Sequence, residues 1–182
     1  MSIEDNDNPI EIDAETKEIM VPSGFITEVA VVGDHNSNAI TFLCPKLIEN
    51  HNILECSQKF VRWENGQYNG IFKITSDYIK ETERDNIPYV EITWEIDKYV
   101  TIKEGAISFS ICFRDVDTDE DGNKKVVYQW STKVCNNFNI GKGIRVTGVD
   151  FSPSEQDGEI VINTEEFDKM LEEIYQIEDE YL

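Results

Sequence analysis

VEITWEIDKYVTIKEGAISFSICF, from Val90 to Phe113, is the stretch that decides the fold we predict for this chain. Apolar residues stand at every second position in both halves, separated by charged residues and threonine in the first half and by small residues in the second. A period of two places the apolar side chains on one face of an extended strand, so each half predicts a half-buried β-strand. Asp97 can cap the short turn between them, and Gly105 allows the chain to swing into the second strand.

The same period recurs on both sides of this stretch. Apolar and polar residues also alternate over Ile40–Cys44, Phe72–Tyr78 and Val126–Val134, and Ile26–Val32 is rich in β-branched residues. The predicted strands are joined by short segments of turn composition, which favours an all-β fold over alternating strands and helices. We therefore predict an antiparallel β-sandwich, Ig-like or related, with Trp94 and Trp130 filling its interior.

Three regions follow from this pattern. Residues 1–24 are polar and predict an N-terminal arm, residues 25–150 form the predicted sandwich domain, and residues 151–182 form a C-terminal extension. Within the extension, Asn163 and Glu166 have the spacing of a capping box, which predicts an amphipathic helix over about 164–181. The apolar stripe of this helix either packs on its own domain or docks on a partner. Its candidate partner-binding residues are Phe167, Met170, Ile174 and Ile177.

Charge limits the classes of partner. The 182 residues include 37 acidic and 16 basic side chains, giving a formal charge of -21. Phosphate binding needs a cationic surface, so we expect neither nucleic acid nor an anionic membrane as a partner. An acidic surface favours basic protein partners and divalent cations. No apolar run approaches the length of a membrane span, and the acidic first residues do not resemble a secretory signal.

Histidine and cysteine side chains are the first candidates for a metal or nucleophile site. His35 and His51 are the two histidines, and the four cysteines include Cys44 and Cys56 but no Cys-x-x-Cys pair. This spacing is not typical of a closed zinc site, so we interpret them as loop histidines and reduced, buried thiols. A Cys–His nucleophile pair that meets only in space stays open. We predict no catalytic residue and no cofactor.

The acidic loop from Asp115 to Asn123 is the sharpest local feature. Asp117, Asp119 and Asp121 imitate the first ligands of a calcium loop. The position of the closing glutamate is Tyr128, within a predicted strand. A hairpin loop with Asp121 and Gly122 in its turn is the favoured interpretation, and calcium binding is the alternative.

Three segments resemble a known family. They are AITFLCPKL (Ala39–Leu47), VEITWEIDKYVTIKEGAISFSICFRDVDTDEDG (Val90–Gly122) and VVYQWSTKV (Val126–Val134). They resemble small β-sandwich virion proteins of phages of Gram-positive, Clostridium-like bacteria, and are similar to the N-terminal domain of the phage baseplate upper protein. The resemblance spans about residues 25–145 and rests on strand sequences that specify a fold and carry no catalytic residues.

The resemblance implies a non-enzymatic structural protein of the virion, made in the host bacterial cytoplasm. It would act in many copies as a decoration protein or as a baseplate or tail accessory subunit, with head and tail locations left open. The implied partners are capsid, tail or baseplate proteins with basic surfaces, and further copies of the chain. The alternative is a carbohydrate-binding or host cell-surface recognition module, for which Tyr68 and Tyr89 are candidate sugar-stacking residues.

Overall fold

The computed structural model describes residues 9–143, and over this range the chain is all β apart from three short 3-10 turns. The strands are β1 (Ile10–Ile12), β2 (Ile19–Met20), β3 (Glu28–Val31), β4 (Asn38–Pro45), β5 (Leu47–Ile48), β6 (His51–Asn52), β7 (Gln58–Asn65), β8 (Tyr68–Lys73), β9 (Ile79–Arg84), β10 (Ile87–Ile96), β11 (Gly105–Thr118), β12 (Lys124–Ser131) and β13 (Cys135–Gly141). The 3-10 turns are Ile53–Glu55, Ser76–Tyr78 and Val100–Ile102. The all-β class predicted from the sequence is confirmed.

The strands form two main sheets and a small hairpin. The first sheet has the order β2-β1-β4-β10-β9, the second has the order β3-β13-β11-β7-β8 with β12 also paired to β11, and β5 pairs with β6 alone. Two pairs, β1 with β4 and β3 with β13, are parallel, whereas the sequence predicted antiparallel pairing throughout. A period of two indicates that a segment is a strand but carries no information about the direction of its neighbour.

One core is shared by the two main sheets. The Phe109 ring, on β11 of the second sheet, lies 4.9 Å from the Trp94 ring and 5.6 Å from the Phe42 ring of the first sheet. A 5.6 Å contact with Phe138 continues the packing within the second sheet. Every second residue of β10 from Val90 to Ile96 is buried, as the alternation predicted. Trp94 and Trp130 are both buried, so their predicted place in the interior is confirmed.

The N-terminal boundary differs from the predicted one. Ile10 and Ile12 are buried in the core, and β1 and β2 belong to the first sheet, so the sheet begins well before residue 25. These strands contain three and two residues, which is too short for an alternating pattern to stand out from a polar segment.

Other predicted strands are shorter than expected. Ile26 and Val134 lie outside the strands and are strongly exposed, and the segment from Phe72 to Tyr78 ends in a 3-10 turn instead of continuing as a strand. One strand of the second sheet, β7, was not predicted from the sequence at all. Its neighbouring residues Phe60 and Val61 are both buried, on opposite faces, so the strand lacks a clean alternation.

Several predictions lie outside the described residues. These are the end of the predicted domain from residue 144 onwards, the extension 151–182 with its helix over 164–181, and the partner-binding candidates Phe167, Met170, Ile174 and Ile177. Among the helices described within residues 9–143, none has the length and apolar character needed to span a membrane.

Candidate functional site

Three side chains of metal-ligating type meet at one end of the second sheet. His51 lies on β6, Cys56 follows the first 3-10 turn, and Asp115 lies on β11, 64 positions beyond His51. One donor atom from each residue lies within 4.8 Å of the other two. We call these three residues the His–Cys–Asp cluster. His51 and Cys56 were candidate residues from the sequence, whereas Asp115 had no predicted role of its own.

The segment that carries His51 and Cys56 is held by its own backbone. Ile48 pairs with His51 across a two-residue turn in which Glu49 and Asn50 have positive φ angles of 52° and 64°. Such a turn matches the twist of a hairpin. Asn52 then caps the 3-10 turn by accepting the Leu54 amide at 3.0 Å. The backbone positions of His51 and Cys56 are therefore fixed by local structure.

Asp115 is positioned by hydrogen bonds to both of its carboxylate oxygens. Its Oδ2 lies 2.7 Å from His51 Nε2, and its Oδ1 accepts the Ser57 amide at 2.8 Å. The pairing of β11 with β12 shifts register between Asp115 and Val116, and the Ser57 hydroxyl accepts the Val116 amide at 2.9 Å. A β-bulge re-aims a side chain. The register shift therefore lies at the residue whose carboxylate points toward His51.

Tyr128 covers one side of the cluster. It pairs with Asp115 across β11 and β12, and its ring stacks on the His51 imidazole at 4.0 Å with an interplanar angle of 6°. Its hydroxyl oxygen is buried and has no hydrogen-bond partner within residues 9–143. Burial, followed by the negative charges of Glu49, Cys56 and Asp115, raises the Tyr128 pKa to about 12.

Cys56 is protonated at neutral pH in this environment. Burial raises the pKa of its thiol to about 11, and the Asp115 carboxylate adds to the rise. The Lys59 ammonium acts in the opposite direction and donates to the Cys56 carbonyl oxygen at 2.8 Å. Burial also lowers the pKa of Lys59. A thiol nucleophile is activated by a depressed pKa, and the shift at Cys56 is in the opposite direction.

A shallow surface groove of about 330 Å³ lies beside the cluster. It is lined by Leu54, Ser57, Lys59, Lys73, Ile74, Thr75, Ser76 and Ile79. The three cluster residues are not among them. A molecule held in this groove would therefore contact Lys59 and Lys73 rather than the side chains of the His–Cys–Asp cluster.

Residues 119–123 form the hairpin turn between β11 and β12 that the favoured interpretation predicted, whereas residues 115–118 of the predicted acidic loop belong to β11. Asp119 Oδ1 accepts the amides of Asp121 and Asn123 at 3.0 and 2.8 Å, and Gly122 has a φ angle of 83°. Within the described range the one group of three metal-ligating side chains is the His–Cys–Asp cluster, so Asp117, Asp119 and Asp121 are not gathered into a calcium site.

The remaining candidates are dispersed. His35 lies in a loop, where its Nδ1 accepts the Lys98 amide at 3.1 Å. All four cysteines are buried and free, and Cys44 lies on β4 of the first sheet. Tyr68 lies on β8 and Tyr89 on β10, in different sheets, and both are half-buried. These two tyrosines therefore do not share one sugar-stacking surface.

The second feature of this region is a projecting two-stranded ribbon. β7 pairs with β11 only as far as Arg114, whereas β12 pairs with β11 out to Thr118. Residues 115–118 and 124–128 therefore extend beyond the neighbouring strand, and we call them the ribbon. Val126 and Val127 on the ribbon are 40% and 57% exposed. The His–Cys–Asp cluster and Tyr128 lie at its base.

No family model matches this chain, and no curated protein is significantly similar to it.

Proposed function

We propose that this chain is a non-enzymatic structural protein of a phage virion, present in many copies and acting through protein–protein contacts. It would be a decoration protein or a baseplate or tail accessory subunit. We further infer that the two main sheets form a β-sandwich, Ig-like or related. The contacts of Phe109 with Trp94 and Phe42 across the sheets support this architecture, and the family resemblance of Ala39–Leu47, Val90–Gly122 and Val126–Val134 supports the assignment to virions.

The ribbon is the observation that carries this proposal. Among the strands described within residues 9–143, only β11 pairs with β12, so the other edge of residues 125–131 can bind a strand of a partner. Val126 and Val127 add apolar surface that is exposed in the isolated chain. Exposed valines beside such an edge fit a protein contact better than they fit a solvated surface.

The chemistry of the His–Cys–Asp cluster also favours a structural role. The Cys56 thiol is protonated at neutral pH, since burial raises its pKa to about 11. His51 Nε2 is engaged with Asp115 at 2.7 Å. The three cluster residues do not line the adjacent groove, so a molecule bound there would not contact the thiol or the imidazole.

Purified particles from cells that produce the chain provide the test. A label on the protein should appear at regular positions on the head or the tail in electron micrographs. Val127→Glu should lower incorporation into particles at least tenfold, because it places a charge in the proposed contact. Ile87→Glu is the matched control: Ile87 is 53% exposed but lies on β10 of the other sheet, and the variant should be incorporated normally.

Two outcomes would contradict the proposal. One is a label that is absent from purified particles. The other is binding of the free protein to host cell-wall glycans, unaffected by Val127→Glu, which would instead support the recognition module.

A further inference from the structure

We propose that His51, Cys56 and Asp115 bind one divalent transition-metal ion of the Zn²⁺ class, with the fourth coordination position open to water. The site would lie at the base of the ribbon and would link it to the β5–β6 hairpin and to the 3-10 turn. This inference is independent of the assignment to virions, since it rests on the geometry of the cluster alone.

The donor set selects the kind of ion. Imidazole nitrogen, thiolate sulfur and carboxylate oxygen together suit Zn²⁺ and related ions, whereas Ca²⁺ and Mg²⁺ prefer oxygen ligands only. One thiolate and one carboxylate balance the two charges of the ion. The -21 formal charge of the chain further favours cation binding.

The distances require only a small adjustment. The three donor atoms lie within 4.8 Å of one another, and His51 Nε2 and Asp115 Oδ2 are 2.7 Å apart. A tetrahedral Zn²⁺ ion with usual bond lengths holds its donors roughly 3.4–3.7 Å apart. On binding, the His51 nitrogen and the Asp115 oxygen would move apart, and the Cys56 sulfur would move toward them. Each of these changes in distance is about 1 Å or less. The ion would then lie between His51 Nε2 and Asp115 Oδ2, in place of the hydrogen bond that joins them.

The surroundings resemble the supporting shell of a metal site. Ligands in such sites are oriented by hydrogen bonds to their remaining polar atoms. The Ser57 amide holds Asp115 Oδ1 at 2.8 Å, and stacking on Tyr128 fixes the plane of the His51 ring. The buried Tyr128 hydroxyl, which has no partner in the part of the chain that the structure describes, is a candidate partner for a metal-bound water.

An entry path is also present. The His51 side chain is 37% exposed and that of Asp115 is 23% exposed, whereas Cys56 is buried beneath them. An ion can therefore reach the imidazole and the carboxylate first. Binding of the thiolate then displaces the thiol proton to solvent, so each ion bound releases at least one proton.

Titration with Co²⁺ tests the proposal directly. The full chain is stripped with a chelator, desalted and titrated with Co²⁺ while the absorption spectrum is recorded. We expect one equivalent to bind with a thiolate-to-cobalt charge-transfer band and the strong visible bands of a tetrahedral ion, and we expect Zn²⁺ to displace it. Excess Zn²⁺ should raise the midpoint of thermal unfolding by a few degrees.

Matched variants localise the ion. Cys56→Ser should abolish the charge-transfer band, and His51→Gln and Asp115→Asn should weaken binding at least tenfold. Cys112→Ser and His35→Gln alter a buried thiol and a histidine outside the cluster, and both should bind Co²⁺ like the original chain. Circular dichroism establishes that each variant is folded.

A spectrum without a thiolate-to-cobalt band in the original chain would overturn the proposal, and so would a band that persists in folded Cys56→Ser. If Cys56→Ser does not fold, nuclear magnetic resonance of the original chain decides. Zn²⁺ must then shift the ring signals of His51 and Tyr128 and leave those of His35 unchanged, and a reversed pattern would reject the site.

Discussion

The hydroxyl of Thr132 accepts the backbone amide of Ile111 at 2.9 Å, in a buried position between β12 and β13. The Thr132 amide in turn donates to the Ile111 carbonyl oxygen at 2.9 Å. The chain from Lys124 to Gly141 runs along β11 as two strands with a break between them, and at the break a side chain replaces the missing backbone acceptor. Buried amides are nearly always satisfied, so this contact allows the edge to be interrupted within the core.

Thr132→Val should destabilise the protein. The change keeps the shape of the side chain but leaves the Ile111 amide without an acceptor, which costs about 1–3 kcal/mol. The free energy of unfolding from urea titration measures the loss. Thr132→Ser keeps the hydroxyl and should lose less than half as much. Equal losses in the two variants would contradict this prediction, because they would show that the methyl group contributes as much as the hydrogen bond.

Strands β10 and β11 could be predicted from the sequence because their alternation of apolar and polar residues is long and uninterrupted. Trp94 and Phe109 are buried where the period of two placed them. The parallel pairs at the sheet edges could not be predicted, since strand direction depends on connections rather than on local pattern. The His–Cys–Asp cluster could not be predicted either. Asp115 is one of several aspartates in the acidic segment 115–123, and only the register of β11 brings it to His51.

Phe109→Ala should cause one of the larger losses of stability available to a single substitution. The ring contacts Trp94, Phe42 and Phe138, so its removal leaves a cavity where the two sheets meet. Truncation of a buried phenylalanine costs about 3–5 kcal/mol. Ile26→Ala is the control, because Ile26 is 78% exposed, and should change stability by no more than about 0.5 kcal/mol. Urea unfolding measures both, and similar values would contradict the core assignment.

The four thiols should react slowly in the native protein. Burial raises the pKa of Cys44, Cys112 and Cys135 above the usual range, and that of Cys56 to about 11. A raised pKa lowers the fraction of reactive thiolate at pH 8, and burial also blocks access. Reaction with Ellman's reagent should therefore be at least about tenfold slower than in unfolded protein, where all four should react. A thiol that reacts rapidly before unfolding would contradict this prediction.

Association with partners should depend on salt. Copies that carry a formal charge of -21 repel one another, so dense assembly requires basic partner surfaces or bridging cations. Exposed charges are screened beyond a distance of about 10 Å at 0.1 M salt. Binding to purified particles should therefore change at least severalfold between low and high salt, as measured by co-sedimentation. Identical binding across this range would remove charge complementarity from the proposed contact.

Asn65→Asp should destabilise the protein at neutral pH, and acid should relieve part of the loss. The buried Asn65 Nδ2 donates to the carbonyl oxygens of Val100 and Lys103 at 2.7 and 2.9 Å, and thereby joins the end of β7 to the turn after β10. A carboxylate there has no proton to donate and faces two acceptors, which costs about 2 kcal/mol or more. The folded state then favours the protonated acid, so the folded pKa is raised above the unfolded value of about 3.9. Stability relative to the original chain should be lowest above the folded pKa and should recover as pH falls through it toward the unfolded value.

Chemical unfolding at several pH values measures this difference in stability. Asn137→Asp, at an exposed position, is the control and should show no such recovery. A loss that is the same at all pH values would indicate that shape, rather than the missing donors, explains the effect.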